Sequence, residues 1–244
     1  MSIKDRFVEW TNREGMVYSL AMFFMFKAES TMCSIRYALH KKKAIDDYFR
    51  SNSVRKIHLG AGTTKLPGFL NSDLFGEIPI DITRPLPFKN GSVDLLYSNH
   101  VVEHIHNKEF KRFLKESVRV LKKGGVQIIA TPGLEKLVRT MYCDKSKESI
   151  NSKKLLLESH RKFNFNRELT PASFLNNFMH INYGHKYLYD LECIKSLALE
   201  AGYGSVERSD EMITEDETIN QHFAYKTKVG PQYPFETEVF ILRK

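Results

Sequence analysis

The residues most able to do chemistry fall into two groups. Gly60-Ala61-Gly62 follows a run with a strand's composition, and Asp73 stands eleven residues beyond Gly62, at the end of a second such run. Glycines let a backbone approach a bound group closely, and the two oxygens of a carboxylate can accept from both hydroxyls of a ribose. Together they point to a nucleoside-containing cofactor. A dinucleotide fingerprint needs a third glycine three residues after the second, where this chain has Lys65, so a pyrophosphate-binding NAD site is disfavoured. No glycine-rich phosphate loop ending in Gly-Lys and Ser or Thr occurs either. The second group is imidazole-rich. His100, His104, His160, His180 and His185 fall in segments expected around one pocket, and histidine is the side chain that exchanges a proton near neutral pH. His100-x-x-Glu103-His104 has spacings of three and four, which put polar groups on one helical face in a metal-compatible pattern. A structural role explains the same pattern, and the chain is read as holding no metal.

These residues need a scaffold. Val54 to Leu59 predicts a strand that runs into the glycine corner, Gly68 to Leu74 a short second strand ending at Asp73, and Ile78-Pro79-Ile80 a third apolar piece leading to Asp81. Ser92 to Ser98 is an apolar run bounded by turn signals, the mark of a buried parallel strand, with Asn99-His100 at its carboxyl end. Phe110, Phe113, Leu114, Val118 and Leu121 recur at helical spacing from Asn107 onward, and Lys122-Lys123-Gly124-Gly125 reads as a basic last turn and a glycine stop. Val126 to Thr131 predicts the next strand. Asp190 to Ala201 predicts a helix stopped by Gly202, and Ser205 to Arg208 and Thr237 to Leu242 predict two more strands. The stretch at about 134–186 shows no strand signal and is expected to be a helical insertion or lid; Asp210 to Glu217 reads as an acidic loop. This order implies an α/β fold, a Rossmann-like, doubly wound and mostly parallel sheet that binds ligands at the carboxyl ends of its strands.

Composition narrows the class. With 244 residues, 42% hydrophobic and 27% charged, the chain is globular, and disulfide scaffolds, collagen-like chains and low-complexity modules are excluded. Cys33, Cys143 and Cys193 are odd in number and match no paired metal spacing, so they read as free thiols in a reducing, cytoplasmic setting. A net charge of +8 favours an anionic partner such as a phosphorylated sugar carrier, nucleic acid or a membrane surface. Met16 to about Phe49 is helix-compatible. Its apolar run, Met16 to Phe26, would reach roughly 16 Å, against about 30 Å for a hydrocarbon core, so it cannot span a bilayer. It reads as a cap on the core, with peripheral membrane contact through Phe23, Phe24 and Phe26 as the alternative.

Four ordered segments resemble the class I S-adenosylmethionine-dependent methyltransferases, in particular a subgroup found among glycan and lipopolysaccharide modification enzymes. They are His58 to Gly62 with Pro67 to Asp73; Asp81 to Phe88; Ser92 to Ile105; and Leu121 to Gly125. The resemblance covers roughly residues 54 to 135 and again about 185 to 208. It implies a methyltransferase domain over 54–244, an N-terminal helical extension over 1–53, and S-adenosylmethionine as cofactor. By position, Gly60, Ala61 and Gly62 would meet the methionine part, Asp73 and Leu74 the ribose, and Asp81 and Ile82 the adenine, while Asn99 and His100 would border the methyl group. The family often has an acidic residue where His58 stands, and only eight residues separate Gly62 from Asn71, a shortened loop that the subgroup shares.

A sulfonium donor is already activated, so methyl transfer asks the protein to align donor and acceptor and exclude water. A hydroxyl acceptor must still lose a proton. His100 and His185 are the preferred pair for that task, with His104 nearby; His185 is favoured because His185-Lys186-Tyr187-Leu188-Tyr189-Asp190 is similar to a segment of the subgroup. The expected activity is O-methylation of a sugar in a glycan or lipid-linked saccharide. RNA 2′-O-methylation is the first alternative, since Glu103-His104 is similar to the metal-binding stretch of small-RNA methyltransferases. The second is a binding module that has lost turnover.

Overall fold

A computed structural model of the chain describes residues 42–143, 145–160, 170–180, 184–209 and 211–244. Most of the expected N-terminal extension, including Met16 to Phe26, lies outside them. Its described end is α1 (Lys42–Ser51). Then follow β1 (Lys56–Leu59), β2 (Phe69–Ser72), β3 (Val93–Asn99), a 3-10 turn (Val102–His104), α2 (Asn107–Val120) and β4 (Leu121–Pro132). After these come α3 (Leu134–Val138), a π turn (Arg139–Cys143), α4 (Lys147–His160), α5 (Pro171–His180), α6 (Leu191–Ala201), β5 (Ser205–Ser209), α7 (Glu217–Val229), α8 (Tyr233–Glu236) and β6 (Thr237–Arg243).

The strands form one sheet in the order β2-β1-β3-β4-β6-β5. The first four run parallel, and β6 is antiparallel to both β4 and β5. Side chains alternate across the sheet, so neighbours in sequence feed opposite cores. Leu96 joins Ile57, Leu59 and Ile129 against Phe110, Phe113 and Leu114 of α2 and Ile194 of α6. Tyr97 joins Ile128, Val239 and Ile241 against Ile219 and Phe223 of α7. Each fully buried side chain of this kind contributes about 1.5–3 kcal/mol, which is what holds the strand ends in register around the site.

Helix ends follow local chemistry. Asp190 caps α6 by accepting from the Cys193 N–H at 2.8 Å, and Gly202 ends it at φ 108°. The Lys122-to-Gly125 stretch differs from its expected role as a last helical turn. The α2 helix stops at Val120, Leu121 turns extended and pairs with Val93, and Lys122 Nζ reaches Asp94 at 2.7 Å. The β3 pairs that flank the stretch, Leu121 with Val93 and Val126 with Leu95, together with Lys244, whose N–H donates to Gly125 O at 3.0 Å, outweigh continuation of the helix. The acidic stretch also differs. Asp216 accepts from the Thr218 and Ile219 N–H groups and starts α7, a helix the sequence reading had not placed. Among the described residues no helix is long and apolar enough to cross a membrane.

Candidate active site

The glycine corner sits where β1 ends. Gly60 and Gly62 adopt φ of 68° and 55°, the left-handed region that glycine enters without strain. A Cβ on Gly60 would stand 2.3 Å from Val101 Cγ2, whereas a Cβ on Gly62 would meet nothing within 4 Å. Parallel pairing of Leu59 with Ser72 delivers Asp73 beside this corner. Its Oδ2 accepts from the Gly62 N–H at 2.9 Å and its Oδ1 from the Phe75 N–H at 3.1 Å. Each carboxylate oxygen keeps a further lone pair, so both can accept again. Leu74 follows, half-buried. Asp81 is held in its own turn, with Oδ1 accepting from the Thr83 N–H and hydroxyl and Oδ2 lying 3.2 Å from Arg84 Nε. Ile82 is buried in the core alongside Ile80.

His58, at the position where the family often has an acid, lies inside the sheet. Asn71 donates from Nδ2 to the carbonyls of Leu66 and Phe69, which fixes its amide, and its Oδ1 lies 3.1 Å from His58 Nδ1. The imidazole therefore carries its proton on Nδ1.

At the end of β3, Asn99 Oδ1 accepts from the Tyr233 hydroxyl at 2.6 Å. His100 takes φ 53°, a strained conformation for a residue with a side chain. Two contacts hold it there: its N–H donates to Ala130 O at 2.8 Å, and Nε2 lies 2.8 Å from Thr237 Oγ1. Its Nδ1 faces Glu103 Oε1 at 3.3 Å. The expected helical face is a three-residue 3-10 turn instead, but the spacing of three still brings His100 to Glu103. Glu103 is fully buried; burial raises its carboxyl, and the contact with His100 and the charges of His100 and His104 outweigh that and hold it below the ordinary range.

His185 arrives from far along the chain. The Lys186 and Tyr187 N–H groups both donate to Glu103 O, at 2.7 and 3.3 Å, which seats the His185 ring 5.0 Å from that of His104. Burial pushes His185 down to about 4. The structure thus brings His100, His104 and His185 around one carboxylate, a grouping the sequence reading had only in part. His160 and His180 stand at the ends of α4 and α5, where no side-chain detail is described.

Two residues of the site were missed from sequence. Tyr233 holds Asn99, and Glu236 is buried nearby; both come from the short α8, whose four residues carry no periodic signal. Burial pushes the Glu236 carboxyl up to about 7, with His100 opposing and Glu103 reinforcing. A raised folded value means that the group's contribution to stability is complete below pH 4.5 and is lost as the pH rises through about 7. Glu236→Gln stays neutral, so it should gain up to about 3 kcal/mol over wild type on going from pH 4.5 to 8.5. Urea denaturation at the two pH values measures this, and a pH-independent difference would show that Glu236 does not titrate in that window.

A cavity of about 310 Å³ is lined by Lys136, Arg139, Ser149, Ser152, Arg208 and Glu238 among others; neither the histidine cluster nor the glycine corner lines it. It is joined to His100 through Thr237, whose carbonyl accepts from Lys136 Nζ at 3.1 Å.

Comparisons with known proteins give the following likenesses. Residues 71–129, from β2 into β4, match a family model described as a methyltransferase domain. None of the curated proteins searched matches the chain. Among solved structures, the chain is similar to a SAM-dependent methyltransferase from Archaeoglobus fulgidus, at 14% identity and TM-score 0.43, covering 91% of this chain and 99% of that one. It is also similar to one from Mesorhizobium loti, at 13% identity and TM-score 0.45, covering 82% and 98%. A third, from Thermotoga maritima, stands at 14% identity and TM-score 0.46, covering 91% and 97%. At TM-scores under 0.5 these likenesses carry no argument about this chain. The family match is confined to part of the chain: residues 71–129, which run from β2 through Asp73 and the turn that carries Glu103 into β4, are similar to a methyltransferase domain.

Proposed function

We propose that the chain methylates a hydroxyl oxygen of a sugar within a glycan or lipid-linked saccharide that bears negative charge. The observation that carries the cofactor half is the hydrogen bond from the Gly62 N–H to Asp73, which makes an open glycine corner and a carboxylate into one receptor. In this reading Gly60, Ala61 and Gly62 receive the methionine part, Asp73 with Leu74 the ribose, and Asp81 with Ile82 the adenine, while Asn99 borders the methyl group. Bound S-adenosylmethionine supplies an activated methyl group whose transfer to oxygen leaves a neutral thioether.

The chain's own residues handle the proton. His100 Nδ1 faces the buried Glu103 carboxylate, so Nδ1 carries the hydrogen and Nε2 presents its lone pair, now toward the Thr237 hydroxyl. An acceptor hydroxyl in the place of that hydroxyl, or joined through it, gives its proton to His100 Nε2. Glu103 holds the tautomer and stabilises the imidazolium that forms, acting as a positioning residue. The cavity supports a polar acceptor, because serines, Lys136 and the ion-paired Arg139, Arg208, Glu135 and Glu238 line it, and the net charge of +8 supports an anionic one.

Incubating the purified chain with labelled methyl donor and a fractionated cell extract tests this reading. Label in glycan or lipid-linked saccharide is the expected result. Label in RNA would replace it with the nucleic-acid alternative, for which a net charge of +8 also speaks and which requires steeply salt-dependent binding. Donor binding by calorimetry without label in any fraction would favour the binding module.

A further inference from the structure

We propose that Glu103, His104 and His185 bind a divalent first-row transition-metal ion. One ligand atom from each lies within 4.8 Å of the others, on the 3-10 turn after β3 and on the segment that the Glu103 carbonyl ties down. Ligand bonds of about 2.0–2.2 Å put the donors of a tetrahedral site roughly 3.3–3.5 Å apart, so small side-chain rotations close the set. Sequence spacing alone had pointed to His100, Glu103 and His104; the fold substitutes His185 as the third ligand and leaves His100 outside, against Glu103.

The electrostatics ask for a cation here. Glu103 is 0% exposed; its Oε2 accepts from the Thr131 hydroxyl at 3.0 Å, while its Oε1 meets only the longer contact from His100 Nδ1 at 3.3 Å. The rings of His100 and His104 lie 3.3 and 4.0 Å from that oxygen. Oε1 lies on the side of His104 and His185, and a metal ion there would add a second charge partner to the one His100 supplies. Two imidazoles with one carboxylate select a borderline ion such as Zn²⁺ over Mg²⁺ or Ca²⁺, which prefer all-oxygen sites, with the harder Mn²⁺ binding more weakly than Zn²⁺. Three protein ligands leave a coordination position open, and His104, with 33% of its side chain exposed, marks the solvent side. The site lies on the Nδ1 side of His100, away from the Nε2 that takes the proton in the function proposed above, and metal binding does not depend on that function.

The test uses the full chain, freed of metal with a chelator and without a histidine tag, titrated with ZnCl₂ and separately with MnCl₂ by calorimetry, the bound ion being counted by mass spectrometry. One ion per chain is expected, with affinity falling at least tenfold, and up to a hundredfold or more, in His104→Ala and His185→Asn. No stoichiometric binding to wild type, or binding that both variants leave unchanged, would overturn the site. If either variant misfolds, substitution of Co²⁺ into wild type decides: visible absorption bands of a tetrahedral ion support the proposal and their absence refutes it. Binding of S-adenosylmethionine, measured on the chelated chain, reports on the proposed function separately, so failure of one is not failure of the other.

Discussion

Between pH 6.5 and about 4 the chain should lose on the order of 4–5 kcal/mol of folding stability through His58 and His222 alone. Both imidazoles are buried, His58 at 1% and His222 at 5% exposure, with rings 5.9 Å apart. Burial pushes each from 6.5 down to about 4, with Asn71 and Asp73 partly opposing it at His58, and with His58 and Lys226 adding to it at His222. A depressed folded value means that the stability is complete above pH 6.5 and is lost as the pH falls through about 4. One shift of this size is worth up to about 3 kcal/mol, and the two are coupled, so the sum is smaller than twice that. Domains hold only about 5–15 kcal/mol in all, so mild acid should bring this one close to unfolding. Denaturant titrations at pH 7.5, 6, 5 and 4.5 give the curve directly, and His58→Asn should flatten it by about half. A free energy of unfolding that stays level from pH 7 to 4.5 would show that these rings are charged, or solvated, in the native state.

Asp73→Ala should weaken S-adenosylmethionine by about 2–4 kcal/mol, roughly thirtyfold to several hundredfold, because two charge-assisted hydrogen bonds to a ribose are removed together. The geometry adds to the effect. Asp73 also holds the Gly62 and Phe75 N–H groups, so its loss loosens the corner against which the donor would rest. Calorimetry on wild type and variant measures the difference, and Asp73→Asn, which keeps one accepting oxygen, should fall between them. Equal affinities for wild type and Asp73→Ala, with the variant folded, would move the donor's seat away from this corner.

Much of the frame was readable because buried parallel strands are continuous apolar runs. Ile57, Leu59 and Leu96 are fully buried, and the strands around them fell within a residue or two of their predicted ends. The α2 and α6 helices were legible from apolar spacing and from the Asp190 and Gly202 caps. Two features were not. Lys122 to Gly125 has the composition of a helix end, and only the β3 pairs that flank it, at Leu121 and Val126, and the bonds to Lys244 make it strand. The α7 helix hides its apolar residues among Lys, Gln and Tyr, and its start lies in a stretch whose charge looks like a loop's.

The site divides along the same line. Contacts spanning a few residues follow from order along the chain alone: the glycine corner, the turn that holds Asp81, and the approach of His100 to Glu103. The backbone between such groups has too few torsions to separate them. What meets them from elsewhere was decided by the fold. Thr237 reaches His100 across 137 residues because β6 runs antiparallel beside β4, and His185 reaches His104 because two backbone N–H groups close on the Glu103 carbonyl. Those meetings depend on the pairing of whole strands and on burial summed over two cores, quantities that belong to the assembled sheet and to no short stretch of residues.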